Sequence, residues 1–193
     1  MTEFNQSRNP SGCAGHGAGG DPSPWVRRFS ALIPAGGHVL DYACGGGRHA
    51  LWLARHGYRV EAADRNRDAL AGLVQEQGIS TREVDLESSD WPYVGQFFDA
   101  VVVCNYLYRP GFERLLDLLP EGGVLIYETF MAGNEQFGRP ASPDFLLLPG
   151  ELLTRCAGWQ IVAFEQGVVS SPRQATIQRI CAVRGPALAT VLP

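Results

Sequence analysis

The segment Val39-Leu40-Asp41-Tyr42-Ala43-Cys44-Gly45-Gly46-Gly47-Arg48-His49 joins an apolar run to a carboxylate and then to a glycine-rich turn. Glycines there let the backbone take φ > 0 and approach a ligand closely. A helix after the turn aims unpaired N–H groups and its positive dipole end into the same space. That combination builds a pocket for a nucleotide-containing cofactor. Two further carboxylates end later apolar runs, Asp64 in Val60-Glu61-Ala62-Ala63-Asp64 and Asp85 in Val84-Asp85-Leu86. Asp64 is placed to accept hydrogen bonds from both hydroxyls of a ribose, and Asp85 from an adenine amino group, with Leu86 covering the ring.

Gly45-Gly46-Gly47-Arg48-His49-Ala50 also satisfies the loose dinucleotide pattern G-x-G-x-x-A, so a dinucleotide-dependent oxidoreductase is one reading. Asp41 weighs against it, because a carboxylate there would lie close to the pyrophosphate, and like charges at short range are costly. S-adenosyl-L-methionine carries an α-ammonium and a sulfonium and no phosphate, which suits a rim of carboxylates. A third reading is a non-catalytic protein that keeps the S-adenosylmethionine pocket for sensing or partner binding.

The elements that must position these residues follow from pattern. Ser23-Pro24-Trp25 reads as a helix start, with Val26, Phe29, Leu32 and Ile33 at helical spacing. From Gly36 the chain alternates strand and helix, the signature of a parallel sheet covered on both faces. Strands are predicted over His38–Tyr42, Tyr58–Ala63, Ile79–Val84, Phe98–Cys104 and Gly123–Phe130. Helices are predicted over Arg48–Arg55, Arg67–Gln77, Gly111–Leu119 and Pro149–Cys156, with Gly57 and Gly78 closing the first two. Trp159–Gln166 and Ala175–Arg184 read as two antiparallel strands. The expected fold is α/β and Rossmann-like: a mostly parallel seven-stranded sheet, an antiparallel last strand, and helices on both faces. The stretch after Phe130, through Gly133, Gly138, Pro140 and Pro143, is a long loop of the kind that serves as a binding loop or lid or is disordered.

Composition narrows the partners. With 193 residues, 45% of them hydrophobic, the chain suffices for one core and is too short for two ordinary domains. The division expected is a flexible segment over 1–22, where Gly, Ser, Asn and Pro dominate, one domain over 23–185, and a tail over 186–193. A formal charge of -4 argues against a nucleic-acid partner. Five scattered cysteines without a CxxC suggest neither a disulfide framework nor a metal site, and no apolar run approaches a membrane span. A soluble cytoplasmic protein is expected, with no membrane partner; oligomeric state is not legible.

From about Trp25 to Arg184 the chain resembles the class I S-adenosylmethionine-dependent methyltransferases. The turn matches their D-x-G-x-G-x-G signature as Asp41, Ala43, Gly45 and Gly47, with Ala43 where that family usually has glycine. Gly45-Gly46-Gly47-Arg48-His49, Asp64-Arg65-Asn66, Glu128-Thr129-Phe130 and Leu146-Leu147-Leu148-Pro149-Gly150-Glu151-Leu152 are further similar to small bacterial methyltransferases of the tellurite-resistance type, which are associated with small nucleophilic acceptors. The resemblance implies that Asp41 and the Ala43–Gly47 turn hold the methionine part, Asp64 the ribose, and Asp85 with Leu86 the adenine. It implies that Asn105 and Tyr106 lie beneath the cofactor near the methyl. Arg48 and Arg65 border the same pocket, Arg48 as a contact for the cofactor carboxylate. On the acceptor side stand Trp25, read as part of a lid, Tyr108, Arg109 and the strand acid Glu128. An Asn-Pro-Pro-Tyr turn, frequent where bases or amides are methylated, is replaced by Asn105-Tyr106-Leu107-Tyr108, so base and glutamine methylation lose weight. No His-Asp pair offers a general base. Cys44 and Cys104 read as small buried residues.

Overall fold

Seven strands pair into one sheet in a computed structural model that describes residues 20–185 and Pro193. The flexible reading of the N-terminus and the tail reading of the C-terminus fall almost wholly on residues 1–19 and 186–192, outside the described residues. The strands are β1 His38–Tyr42, β2 Arg59–Asp64, β3 Ile79–Glu83, β4 Ala100–Cys104, β5 Val124–Phe130, β6 Gln160–Val169 and β7 Ala175–Val183. They lie in the order β3-β2-β1-β4-β5-β7-β6. All pairs are parallel except those of β7, which runs antiparallel to β5 and β6. The sheet order reverses between β1 and β4, so the carboxyl ends of these strands open a crevice, where open α/β sheets take ligands.

The period-2 alternation of the strands gives the sheet two apolar faces. Against one pack α1 Pro24–Phe29, α2 Arg48–Arg55 and α3 Arg67–Ala71, through Phe29, Leu53 and Leu70 over Val39, Val102 and Ile126. Against the other pack α4 Phe112–Leu116 and α5 Glu151–Arg155, through Leu115 and Leu152 over Leu40, Val103 and Leu125. Residues 39 and 41 of β1 therefore share a side, as do 124, 126 and 128 of β5. Asp41 and Glu128 thus project toward the layer of α1 to α3.

Several elements are shorter than their sequence patterns. The helix predicted to Gln77 ends at Ala71, because the chain tightens there into three-residue turns, Leu73 N–H to the Leu70 carbonyl at 2.8 Å and Glu76 N–H to the Leu73 carbonyl at 3.0 Å. Gly78 therefore closes a run of turns, not a helix. The predicted helix over Gly111–Leu119 likewise resolves into a 3-10 turn, Arg109–Gly111, the short α4, and three-residue bonds out to Leu119. β6 instead runs three residues past its predicted end and absorbs a bulge at Ile161 and Ala163.

The long segment after β5 is a folded part of the core edge. Ala132 N–H donates to the Leu147 carbonyl at 2.9 Å and Leu147 N–H to the Phe130 carbonyl at 3.0 Å, which pins its two arms together. Asn134, 2% exposed, donates to the Pro140 carbonyl at 2.9 Å and accepts from Thr176 N–H at 3.2 Å.

Candidate functional site at the carboxyl edge of the sheet

The turn between β1 and α2 alternates left-handed residues: Ala43 at φ +56°, Gly45 at +54° and Gly47 at +72°. Ala43 carries the cost that glycine would escape, about 1 to 2 kcal/mol for an L residue. At Gly47 the requirement is double, since a Cβ would also stand 2.4 Å from Leu73 Cδ1. At Gly45 a Cβ would meet nothing within 4 Å, so that face of the turn looks onto open space.

Asp41 lies beneath the turn, 1% exposed, and its Oδ2 accepts from Ala50 N–H at 2.9 Å. The carboxylate thereby fastens the first turn of α2 to the end of β1. Burial pushes its pKa up to about 7, against the opposing pull of the Ala50 N–H and of Arg48. His49 is 3% exposed, and burial, then Arg48, push its pKa down to about 3. Its Nε2 accepts from Ser23 N–H at 3.2 Å, so the neutral ring carries its proton on Nδ1, 4.0 Å from Asp41 Oδ1. His49 is locked as a structural bridge.

Asp64 ends β2 with both oxygens engaged, Oδ2 by Gly45 N–H and Oδ1 by Asn66 N–H, each at 2.8 Å. It ties the glycine turn to the entry of α3, where Asn66 is the N-cap. Each carboxylate oxygen has two lone pairs, so one on each remains for a ligand. Arg65 is exposed beside it. One strand further, Asp85 accepts from Glu87 N–H at 3.0 Å and Leu86 is buried. Past β4, Asn105 takes φ +58°, which asparagine tolerates better than most residues. Its N–H donates to the Glu128 carbonyl at 2.9 Å. Tyr106 stands edge-on to Tyr42, with ring centroids 5.6 Å apart, and donates to Glu87 Oε1 at 3.4 Å. Tyr108 donates to the Glu87 carbonyl at 3.2 Å. Asp41, the turn, Asp64, Asp85, Leu86, Asn105 and Tyr106 thus lie along one edge, on adjacent strand ends.

The other half of that edge holds a charged row. Glu128, Arg179 and Glu165 are direct cross-strand partners on β5, β7 and β6. Arg179 Nη1 donates to Glu128 Oε2 and Nε to Glu165 Oε2, each at 3.0 Å, and its guanidinium lies 4.6 Å from the Trp25 ring. Glu128 Oε1 accepts from the Ser23 hydroxyl at 2.8 Å. Sequence reasoning singled out Glu128 and missed Arg179 and Glu165. The available signal was that each is the one charged residue in an otherwise uncharged strand.

Two expected acceptor-side residues have other work. Trp25 is 3% exposed and its indole N–H donates to the Ile180 carbonyl at 3.1 Å, so it is core under α1 and not part of a lid. Arg109 grips both oxygens of Glu151 at 2.9 and 2.8 Å and donates to the carbonyls of Pro143, Asp144 and Leu146. It is a strut that ties the loop before α5 to the end of β4, not a free cation over the crevice. Cys44 and Cys104 are thiols that burial holds protonated, with their pKa values pushed up. Among the described residues no cluster of His, Cys, Asp and Glu suits a metal ion, and no helix is long and apolar enough to cross a membrane.

A doubly wound sheet with this turn at its switch point is the architecture of a methyltransferase domain. The family model described as "Methyltransferase domain" matches residues 15–189, and the chain belongs to that family. Among curated proteins it is 28% identical to the putative methyltransferase YqeM of Bacillus subtilis (strain 168), over 54% of this chain and 47% of that one. The chain thus spans about half the length of that relative. Among solved structures it is similar to TehB from Haemophilus influenzae, with a TM-score of 0.67, 20% identity, and coverage of 80% of this chain and 59% of that one. It is also similar to the 1,6-didemethyltoxoflavin-N1-methyltransferase of Burkholderia thailandensis, solved with 1,6-didemethyltoxoflavin and S-adenosylhomocysteine bound: TM-score 0.63, 19% identity, 84% and 77% of the two chains. At these identities the structures establish a shared fold.

Proposed function

We propose that this chain is an S-adenosyl-L-methionine-dependent methyltransferase that passes a methyl group to a small-molecule acceptor by in-line displacement. The observation that carries the reading is the chemistry of the edge: the carboxylates of Asp41 and Asp64 flank the left-handed turn, one beneath it and one bonded to it. A pyrophosphate laid on that turn would face the Asp64 charge and drive buried Asp41 further toward its neutral form, whereas a cationic amino-acid end gains from Asp64 and favours ionised Asp41. The donor set therefore fits the sulfonium cofactor better than a dinucleotide. Residues 23–185 form the methyltransferase domain in this reading, and the cytoplasm is its setting.

Bound S-adenosyl-L-methionine supplies a methyl carbon already activated by positive sulfur. The residues that would hold it are Asp41, the Ala43–Gly47 turn and Arg48 at the methionine end, Asp64 and Arg65 at the ribose, Asp85 and Leu86 at the adenine, and Asn105 and Tyr106 beneath. The chain's own contribution is alignment and exclusion of water, worth on the order of 7 kcal/mol or more in favourable cases. Glu128 and Tyr108 face the acceptor. His49 is excluded as a base, because its Nε2 is occupied by Ser23 and its Nδ1 carries the proton.

Calorimetric titration with S-adenosyl-L-methionine and with NAD tests the reading, followed by an assay for S-adenosylhomocysteine formed from S-adenosyl-L-methionine in the presence of each of a panel of thiol, selenite and metabolite acceptors. Asp64→Ala should weaken S-adenosylhomocysteine binding by roughly 1 to 3 kcal/mol. Tight NAD binding with no sulfonium-cofactor binding sinks the proposal. Binding without turnover of any acceptor would favour a sensor.

A further inference from the structure

Ser23 joins three elements through one residue. Its N–H donates to His49 Nε2 on α2 at 3.2 Å, its hydroxyl donates to Glu128 Oε1 on β5 at 2.8 Å, and the same oxygen accepts from Trp25 N–H at 3.1 Å, capping α1. It is 3% exposed. The two residues before it run along the first turn of α2, where Arg48 Nη1 donates to the Asp21 carbonyl at 2.9 Å. Arg48 is the first residue of α2 after the glycine turn, and its charge reaches Asp41 and Cys104. Its guanidinium is thus bonded to the 20–23 segment at the start of α2 and keeps four further N–H donors.

Resting on the cofactor reading above, we propose that Ser23 is a positioning residue of the donor site. It seats residues 20–23 across the rim so that Arg48 is shared between the Asp21 carbonyl and the carboxylate of the bound cofactor's amino-acid end. A guanidinium bonded on one side to a fixed carbonyl is pre-oriented for a carboxylate on the other, so less side-chain freedom is lost when the ligand arrives. The segment is in turn clamped when that carboxylate orders Arg48. The adenosine end of the ligand, which lies at β2 and β3, gains nothing from Ser23.

Two ligands separate these ends. S-adenosylhomocysteine carries the amino-acid end, and 5′-methylthioadenosine keeps the adenosine and the thioether sulfur without it. Ser23→Ala should weaken S-adenosylhomocysteine roughly fivefold to tenfold, about the worth of one net hydrogen bond from an Arg48 left unoriented, and leave 5′-methylthioadenosine within about twofold. Ser23→Thr, which keeps the hydroxyl, should restore most of the loss. In the unmodified protein, hydrogen exchange at residues 20–25 should slow with S-adenosylhomocysteine and not with 5′-methylthioadenosine, a readout that needs no variant to fold. Equal weakening of both ligands would make Ser23 only a helix cap and overturn the proposal, as would unchanged affinities or the same exchange with either ligand. Failure of the unmodified protein to bind S-adenosylhomocysteine would instead remove the cofactor reading, and this inference with it.

Discussion

Gly47→Ala is the sharpest test of how the turn is built. The added methyl would sit 2.4 Å from Leu73 Cδ1 and 2.7 Å from Cδ2, and Leu73 is fully buried, so it cannot swing into solvent. Two costs add: about 1 to 2 kcal/mol for an L residue at φ +72°, and about 1 to 3 kcal/mol for overpacking a core contact. The sum, roughly 2 to 5 kcal/mol, lowers the melting temperature by roughly 4 to 20 °C for a chain of this size. Gly45→Ala shares the left-handed backbone but meets no atom within 4 Å, so only the first cost applies. Its methyl instead enters the open side of the turn, where the ligand is proposed to lie, so it should lose S-adenosylhomocysteine affinity out of proportion to stability. Urea denaturation of both variants, repeated in a Leu73→Ala background, isolates the clash. With Leu73 truncated, the cost of Gly47→Ala should fall toward that of Gly45→Ala. An unchanged cost in that background would refute the steric argument.

The buried pair beneath the turn makes a prediction about pH. His49 is held neutral down to about pH 3, while an unfolded histidine binds its proton near 6.5, so its contribution rises with pH across that window. Asp41 keeps its proton up to about pH 7 against 3.8 unfolded, so its contribution is fullest at low pH and falls as pH rises. The two oppose each other between about pH 4 and 6.5 and flatten the profile. Asp41→Asn removes one of them, and its stability should climb with pH relative to the unmodified protein by up to roughly 1.4 kcal/mol per unit; parallel profiles from denaturation at pH 4.5, 5.5 and 6.5 would contradict the assignment. Arg109→Ala removes its two hydrogen bonds to Glu151, leaving that carboxylate Arg155 at 3.6 Å, and releases three loop carbonyls. It should cost about 2 to 3 kcal/mol and speed hydrogen exchange across 143–148, with exchange confined to its former rate counting against the strut.

Much of the fold was legible because its signals are local. Alternation of apolar strands with amphipathic helices, and glycines where the chain reverses, depend on neighbours a few residues away, so the strand–helix rhythm and the left-handed turn could be read directly. Helix lengths were less legible. Arg67 to Gln77 has helical spacing, yet whether a turn closes after three or four residues is set by what the sheet below accepts, here Leu70 and Leu73.

By itself the sequence determined the order of the elements, the glycine turn and the carboxylates at or just past the ends of three strands, since each is written in contiguous residues. Only the tertiary structure decided which distant side chains meet. Nothing local tells that the antiparallel register of β5, β7 and β6 sets Glu128, Arg179 and Glu165 in one row, or that Ser23 reaches both His49 and Glu128. The same is true of Trp25 and Arg109, whose residue types suit a ligand as well as a core or a strut. A side chain's type fixes what it can bond to, and the packing of elements far apart in the chain fixes what it does bond to.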